Sequence, residues 1–457
     1  MTGLFPRAFG PDEDDDVNMT AQDMKNNYRD TASEYVPHSG FSEWIEAARK
    51  NSFDLLKQTG FPTKKWESWK YVNLLPILEK SYTEPGDDSS FTKEVFSSLP
   101  FSGEQFRAVL VNGVFREDLS TIGTEGLALE SIHSSLIKDA APIHTFGTPA
   151  QENNPFVLAN AARLQGGVNI RIKKNLSLPG PLHVFIVTSG GTGESIAAHP
   201  RIAITACENS LSDVILHFCP LAGAAFTNAV CEVNLLRNAS LDLIVMQENR
   251  LSHDLFFAAR VGLDEASRLD CVSVSRGGGM IRNDFQIDLM GPEAYADVSG
   301  IGVLSGSTAL HNEIVVNHRS PMGVSRQLFK NILTDETQGE FNSLAYVHAG
   351  AQKSDSQQLN KNLLLSRSAK AYSRPSLKIY ADDVKASHGS ATGRTEQQEF
   401  FYLQSRGLDK KLARFVLTFG FAEEVLMKIS VDGIRQAAEN FIRRALEEMM
   451  PEYADLS

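Results

Sequence analysis

The chain has 457 residues and a formal net charge of −12 at pH 7, because 44 lysines and arginines face 56 aspartates and glutamates. That length exceeds one small hydrophobic core and predicts two to three domains. The acidic balance disfavours binding to nucleic acid or anionic lipid, because both require a basic surface. No apolar run approaches the roughly 20 residues that span a bilayer. We therefore expect a protein that binds neither nucleic acid nor membrane.

Residues 1–40 are polar and acidic and show no apolar periodicity, which is typical of a disordered tail. The acidic run Asp12 to Asp16 is unlike secretory and transit peptides, which have a basic start and avoid acidic residues. We therefore expect a cytoplasmic protein whose residues 1–40 form a disordered acidic tail.

Residues 41–165 predict a mostly helical N-terminal domain with one small hairpin. Apolar residues recur at helical spacing from Phe41, and Asn112-Gly113 between two apolar runs is a hairpin turn signal. The segment Phe61 to Tyr71 combines aromatic and lysine side chains, and it has two interpretations. One is base stacking on nucleic acid. The other is packing against the next domain, which the acidic net charge favours.

Residues 166–394 predict a β-rich core. Short strand-like runs follow one another from Val168–Ile172 to Leu377–Tyr380, with turn residues between them. Such a series indicates a sandwich, a barrel or a stacked solenoid. Only Ser325–Leu333 is predicted to be a short helical or irregular excursion.

The spacing of three cysteines favours the solenoid. Cys207, Cys219 and Cys231 lie twelve residues apart. If one layer were about that long, the thiols would stack in equivalent inward positions. With Cys271 they make four cysteines without a CxxC pair, which predicts reduced, buried thiols rather than a zinc or redox site.

Residues 395–457 predict a C-terminal helical domain. An apolar stripe begins at Leu408, and we expect Gly420 to end that helix as a C-cap. A last helix is predicted from Val431 to Met449. Helices on both sides of the core suit a solenoid, because its open ends need caps or partners.

Motifs of catalysis are missing from the sequence. It contains no GxxxxGK[ST], no HExxH and no GxSxG. The glycine-rich run Ser275 to Met280 predicts a tight turn, with a phosphate cradle as the alternative. Asp284, Asp288 and Asp297 offer acids for a carbohydrate-active enzyme, a minor alternative because their facing within the strands is unclear.

His388 stands in a polar turn after a strand, where a neutral imidazole can bind a transition metal. One imidazole cannot hold a metal alone, so a site there needs ligands from elsewhere, such as another chain. The alternative is a plain polar turn histidine.

Several segments together resemble the SufB/SufD family of iron–sulfur cluster assembly subunits, and the SufD branch in particular. The most specific is Ala381-Asp382-Asp383-Val384-Lys385 followed by Ser387-His388-Gly389. Further matches are Arg282-Asn283-Asp284, Phe401-Tyr402-Leu403, Ser405-Arg406-Gly407 and Gly420-Phe421.

The resemblance implies a right-handed parallel β-helix between helical N- and C-terminal regions. It also implies a complex with SufB and two copies of the ATPase SufC, with ATP bound only on SufC. It further implies a transient iron–sulfur cluster at the SufB–SufD interface, and a chain that is a scaffold without catalysis of its own. The implied SufB interface comprises Leu377, Ile379, Lys385 and His388, and the implied SufC interface comprises Arg406, Phe415, Phe419 and Phe421.

His388 matches the functional histidine of the family, which makes it the expected cluster ligand. Many relatives carry a cysteine two residues earlier, where this chain has Ala386. That departure removes a thiolate and leaves the histidine. A SufB-like homodimer that carries a cluster is the remaining alternative, which the missing thiol disfavours.

Overall fold

The computed structural model describes residues 27–30, 34–38, 40–83, 85, 91–121, 125–134, 152–190, 195–221, 223–249, 252–394 and 397–449. Within these ranges the helices are α1 (Glu43–Thr59), α2 (Leu75–Leu78), α3 (Lys93–Ser97), α4 (Pro155–Ala162), α5 (Gln397–Ser405), α6 (Lys410–Leu426) and α7 (Asp432–Met449). None of these helices is long and apolar enough to cross a membrane.

The strands of the same ranges are β1 (Arg107–Val111), β2 (Val114–Phe115), β3 (Leu127–Ser131), β4 (Val168–Ile172), β5 (Leu182–Thr188), β6 (Ser195–Ala198), β7 (Arg201–Ala206), β8 (Leu211–Pro220), β9 (Ala224–Leu235), β10 (Ser240–Asn249), β11 (His253–Leu263), β12 (Arg268–Gly277), β13 (Met280–Leu289), β14 (Tyr295–Leu304), β15 (Ala309–His318), β16 (Val324–Leu333), β17 (Gln338–Val347), β18 (Ser354–Leu364), β19 (Lys370–Ile379) and β20 (Val384–Gly393).

The strands stack as a parallel β-solenoid with two long sheets. Sheet 1 has the order β2-β1-β5-β8-β10-β12-β14-β16-β18-β20, and sheet 2 has the order β19-β17-β15-β13-β11-β9-β7-β4-β3. Consecutive strands along the chain therefore alternate between the sheets over most of the core. Inward-facing apolar side chains such as Leu243, Phe285 and Ile314 fill the space between the sheets, and each contributes about 1.5–3 kcal/mol by burial. The predicted β-helix class is confirmed.

The layer repeat is longer than the cysteine spacing suggested. Leu241, Leu269, Ala296 and Ser325 occupy equivalent positions in adjacent strands of sheet 1, at intervals of 27 to 29 residues. Twelve residues carry the chain only to the other sheet. Cys219 lies in sheet 1 beside Val187, and Cys231 lies in sheet 2 beside Ile202 and Ala259. The prediction of stacked thiols is therefore wrong.

One corner of the solenoid has the same backbone conformation in seven successive layers. The corner residue of each layer has a positive φ. Its backbone N–H donates to the backbone carbonyl of the residue that precedes the corner residue of the next layer. Asn209, for example, has φ 57, and its N–H donates to the Arg237 carbonyl. Asparagine tolerates this conformation well, and the Asn238 amide donates to Asn209 Oδ1 at 3.1 Å. The corner residues are Asn175, Asn209, Asn238, Ala266, Glu293, Met322 and Lys353.

The N-terminal segments cover the outer face of sheet 2. Tyr28 is 1% exposed, and its ring lies among Phe61, Phe156 and Phe226. The predicted disordered tail over residues 1–40 therefore does not extend over Tyr28, because burial of its ring fixes this part of the chain. Residues 1–26, 31–33 and 39 lie outside the described residues.

The aromatic segment Phe61 to Tyr71 packs inward, as the packing interpretation predicts. Trp69 is 3% exposed and lies 3.7 Å from the guanidinium of Arg282 on sheet 2. The Asn112-Gly113 hairpin is confirmed, since β1 and β2 pair antiparallel around it. In addition, β1 pairs parallel with β5 and so extends sheet 1.

The C-terminal helices α6 and α7 pack on the outer face of sheet 1. Ile442 and Leu446 of α7 share an apolar cluster with Val272 and Ile301 of the sheet. Polar contacts surround this cluster: Lys428 Nζ contacts Asp297 Oδ2 at 2.5 Å, and Ser430 donates to Asp242. Gly420 does not end a helix as predicted, because α6 continues to Leu426.

Candidate functional site

The terminal layer, formed by β19 and β20, is the open end of the solenoid. Within the described residues, β19 pairs only with β17 and β20 only with β18, so each strand keeps one free edge. Leu289, His318 and Val347 occupy the same inward position in successive layers and are fully buried, at 0% exposed. The equivalent residue of the terminal layer, Ile379, is 38% exposed. Both backbone groups and apolar side chains are therefore available at this end.

The structure brings the four residues of the predicted SufB interface together in this layer. Leu377 and Ile379 lie on β19, in line with the buried Ala345 and Val347 of the layer below. Lys385 and His388 lie exposed on β20. Because side chains alternate along a strand, His388 shares the inward-facing side with Ala386 and Lys385 is on the opposite side.

His388 lies directly above Gln358, and Ala386 above Ser356, in the parallel register of β18 and β20. Among the described residues no group of three or more His, Cys, Asp or Glu side chains is placed to hold a metal ion. His388 therefore has no companion set of ligands in the described part of this chain.

The four thiols do not supply such ligands. All are free; Cys207, Cys231 and Cys271 are buried, and Cys219 is half-buried. Burial, with Glu248 nearby, raises the pKa of Cys219 to about 12. Burial likewise raises the pKa of Cys231 and of Cys271. Since the thiolate is the form that binds metal, the raised pKa disfavours the ligand form of Cys219, Cys231 and Cys271.

The three aspartates considered for a carbohydrate-active site do not converge. Asp284 and Asp288 lie on sheet 2, whereas Asp297 lies on sheet 1. Each is paired with a cation: Asp284 with Arg260 at 2.7 Å, Asp288 with Arg319 at 2.6 Å, and Asp297 with Lys428.

The glycine-rich run Ser275 to Met280 forms the predicted tight turn between β12 and β13, with Gly277 at φ 101 and Gly279 at φ 88.

Of the predicted SufC-interface residues, Phe415, Phe419 and Phe421 lie on α6, and Arg406 directly follows α5. Each of them also makes a contact within the chain. Phe415 and Phe419 stack at 6.1 Å and pack against the apolar cluster under α6 and α7. Phe421 lies 4.4 Å from Lys330 Nζ of sheet 1. Arg406 is exposed and lies over Tyr402.

Two more exposed aromatic side chains were missed as interface candidates. Phe401 is 72% exposed and Tyr402 is 56% exposed, both on α5. The sequence signal was there, because three consecutive large apolar residues at 401–403 cannot all face one side of a short helix.

The parallel stack, the segments that cover its two outer faces and the exposed terminal layer define a β-solenoid protein. Family models match most of the chain: the SUF system FeS cluster assembly SufBD core domain matches residues 186–421, and the SufBD protein N-terminal region matches residues 18–184.

Similar curated proteins carry related names. The iron–sulfur cluster assembly protein SufD of Escherichia coli (strain K12) is 30% identical over 83% of this chain and 88% of its own length. Protein ABCI7, chloroplastic, of Arabidopsis thaliana is 26% identical over 97% of this chain and 94% of its own length. SufD of Bacillus subtilis (strain 168) is 24% identical over 72% and 75%. The chain belongs to the SufBD family, and its role lies in iron–sulfur cluster assembly.

Proposed function

We propose that this chain is a non-catalytic scaffold subunit that pairs through its terminal layer with a SufB-like chain. The observation that carries the proposal is the exposed edge of β19 and β20 with Leu377 and Ile379 beside it. A free strand edge is a template for pairing with another chain. The similar SufD proteins of Escherichia coli and Bacillus subtilis are named iron–sulfur cluster assembly proteins.

The cluster under assembly is cargo at the junction of the two chains. His388 contributes one imidazole, and the SufB-like chain contributes thiolates, because histidine can replace thiolate on iron. The burial of Cys207, Cys231 and Cys271 inside the solenoid supports this division of ligands. ATP binds only to a SufC-like ATPase, which docks on α5 to α7 through Arg406, Phe415, Phe419 and Phe421. The free cysteines suit a reducing compartment such as the cytoplasm.

The pairing is tested by co-purification of the tagged chain with SufB-like and SufC-like partners. A charged double variant, Leu377→Asp with Ile379→Asp, is expected to lower recovery of the SufB-like chain at least tenfold, because two buried carboxylates would lack partners. Val114→Asp is the matched control, since Val114 is 46% exposed on β2 at the opposite end of sheet 1. Equal recovery with both variants would refute the pairing, and a self-paired chain would point to the homodimer.

The ligand role is tested in the same complex by His388→Ala. We expect the content of iron and sulfide after anaerobic assembly to fall while the partners still co-purify. Ser390→Ala, two residues along β20 on the same side, is the control. Unchanged cluster content in His388→Ala would exclude the ligand role and leave the scaffold role intact.

A further inference from the structure

The inward column of sheet 1 that ends at His388 changes character along the solenoid. Its members, in register from layer to layer, are Cys271, Val298, Gln327, Gln358 and His388. The first two are apolar and the last three are polar. Polar side chains inside a β-solenoid are costly unless they are hydrogen-bonded, so the switch in the last three layers calls for a reason.

Gln358 lies beside His388 in the register of β18 and β20 and carries a free hydrogen-bond acceptor. The residue is 2% exposed, and its Nε2 donates to the backbone carbonyl of Ser376 at 3.1 Å. Since a carbonyl only accepts, that contact identifies the amide nitrogen, and the other atom is the oxygen. This Oε1 is buried without a hydrogen-bond partner among the described residues.

The side chain below Gln358 does not use that oxygen. Gln327 Oε1 accepts from Ser343 Oγ at 2.6 Å, and its Nε2 makes no hydrogen bond within the described residues. On the other side of Gln358 in the same column lies His388, whose ring carries an N–H in either neutral tautomer. An imidazole that binds metal through one nitrogen commonly donates from the other to a neighbouring oxygen, which sets its tautomer and orientation.

We propose that Gln358 is a positioning residue for His388: after rotation of the two side chains, which this structure leaves unbonded to each other, Gln358 Oε1 accepts the ring N–H. The lone pair of the other ring nitrogen then faces the open end. The value of this arrangement for cluster assembly rests on the proposed function. The contact itself does not, so the two are tested separately.

The contact is tested by ¹⁵N NMR of the full-length chain labelled at histidine, at one pH at which the ring is neutral. The His388 signals are assigned by their loss in His388→Ala. We expect wild-type His388 to show one dominant tautomer, and Gln358→Leu to show the exchanging mixture of a free imidazole. Gln358→Glu keeps an acceptor oxygen and should restore a single tautomer. Gln327→Leu, one layer further from His388, should leave the signals unchanged.

Folding of each variant is checked by circular dichroism and by the signals of the buried His311 and His318. An exchanging mixture in the wild-type chain, or a single tautomer that survives Gln358→Leu in a folded protein, would overturn the proposal.

The effect of Gln358 on retention of the cluster is tested in the complex with the SufB-like chain. Gln358→Leu is expected to weaken retention of the cluster about tenfold, in line with the loss of an outer-shell partner, while the partners still co-purify. If His388→Ala leaves cluster content unchanged although the tautomer of His388 depends on Gln358, the proposed ligand role fails and the positioning contact stands.

Discussion

At the scale of single residues, the most unusual group is a buried charge network on the outer face of sheet 2. Arg282 lies against Trp69 and faces Asp284 and Glu313 at 3.8 Å. Carboxylates outnumber guanidiniums in the network, whose members are Arg260, Arg282, Arg374, Glu152, Asp284, Glu313 and Glu340. Burial, only partly opposed by Arg282, raises the pKa of Glu313 to about 8, so Glu313 is the carboxyl group that stays protonated at neutral pH.

This raised pKa makes stability depend on pH. Between the ordinary glutamate pKa of 4.5 and the folded-state pKa of about 8, only the folded chain holds the Glu313 proton. The contribution of Glu313 to the free energy of unfolding is therefore fully present below pH 4.5 and is lost as pH rises towards about 8. Glu313→Gln should remove this loss, which amounts to at most about 1.4 kcal/mol per pH unit. Denaturant unfolding at pH 5.5, 7 and 8 measures the difference between variant and wild type.

Glu336→Gln, on an exposed turn, is the control for that experiment. Parallel pH profiles of Glu313→Gln and wild type would show that Glu313 is already ionised in the folded protein.

Sequence patterns identified His388 but not Gln358. The polar turn around His388 is visible in the sequence, whereas the position of Gln358 beneath it follows only from the register between β18 and β20. Thirty residues separate the two, and the interval between adjacent strands of sheet 1 from β12 to β20 varies from 27 to 31 residues. No fixed period in the sequence aligns them.

At the scale of elements, both wrong assignments have a local cause. Ser325–Leu333, predicted to be a short helical or irregular excursion, lies within the strand β16. Its inward positions include Gln327 and Asn331, which interrupt the apolar alternation that marks a strand in the sequence. α6 was predicted to end at Gly420, but the tertiary contacts of Ala422 and Val425 with sheet 1 carry the helix past it. Packing outweighs the weak helix propensity of one glycine.

Gly420→Ala is expected to stabilise the protein by about 0.5–1 kcal/mol, because glycine in a helix interior costs backbone entropy. An added Cβ there meets nothing within 4 Å. The midpoint of thermal or denaturant unfolding of the C-terminal helices measures the gain.

Gly407→Ala is the contrasting variant, since Gly407 has φ 93 and equally open space. It should destabilise by about 1–2 kcal/mol through backbone strain alone. Destabilisation by Gly420→Ala as well would mean that Gly420 has the C-cap conformation after all.

At the scale of the whole molecule, the N-terminal segment reaches the open end of the solenoid. The rings of Tyr71 and Tyr372 stack at 4.0 Å. The Gln338 side chain donates to the Tyr71 carbonyl at 2.7 Å, and Arg374 donates to the Glu67 carbonyl at 2.8 Å. Among the described strands β19 has one neighbour only, so these contacts replace part of the support that a second neighbour would give.

Tyr71→Ala is expected to loosen the terminal layer. Loss of an aromatic pair worth about 0.5–1.5 kcal/mol should raise amide exchange of residues 370–379 up to about tenfold. Hydrogen–deuterium exchange with mass spectrometry measures this.

Peptides from β10 to β14 should keep their exchange rates, and Tyr402→Ala on the exposed face of α5 serves as the control. Faster exchange throughout the solenoid would mean that Tyr71 supports the whole fold rather than this layer.

The overall architecture was predictable from the succession of short strands between helical segments, and the exposed end followed from the openness of any solenoid. Which terminal segment covers which outer face was not predictable from the sequence. The C-terminal helices cover sheet 1 and the N-terminal segments cover sheet 2, and only outward positions such as Val272 and Phe256 decide which segment fits where.

The repeated corner of the solenoid makes its length adjustable in discrete steps. Because each corner N–H finds its acceptor in the following layer, a duplicated layer would join the stack without disturbing those on either side. Each such duplication would move the two extremities apart by about 4.8 Å. Evolution could therefore alter the distance between the C-terminal helices and the terminal layer of β19 and β20 while leaving the shape of both unchanged.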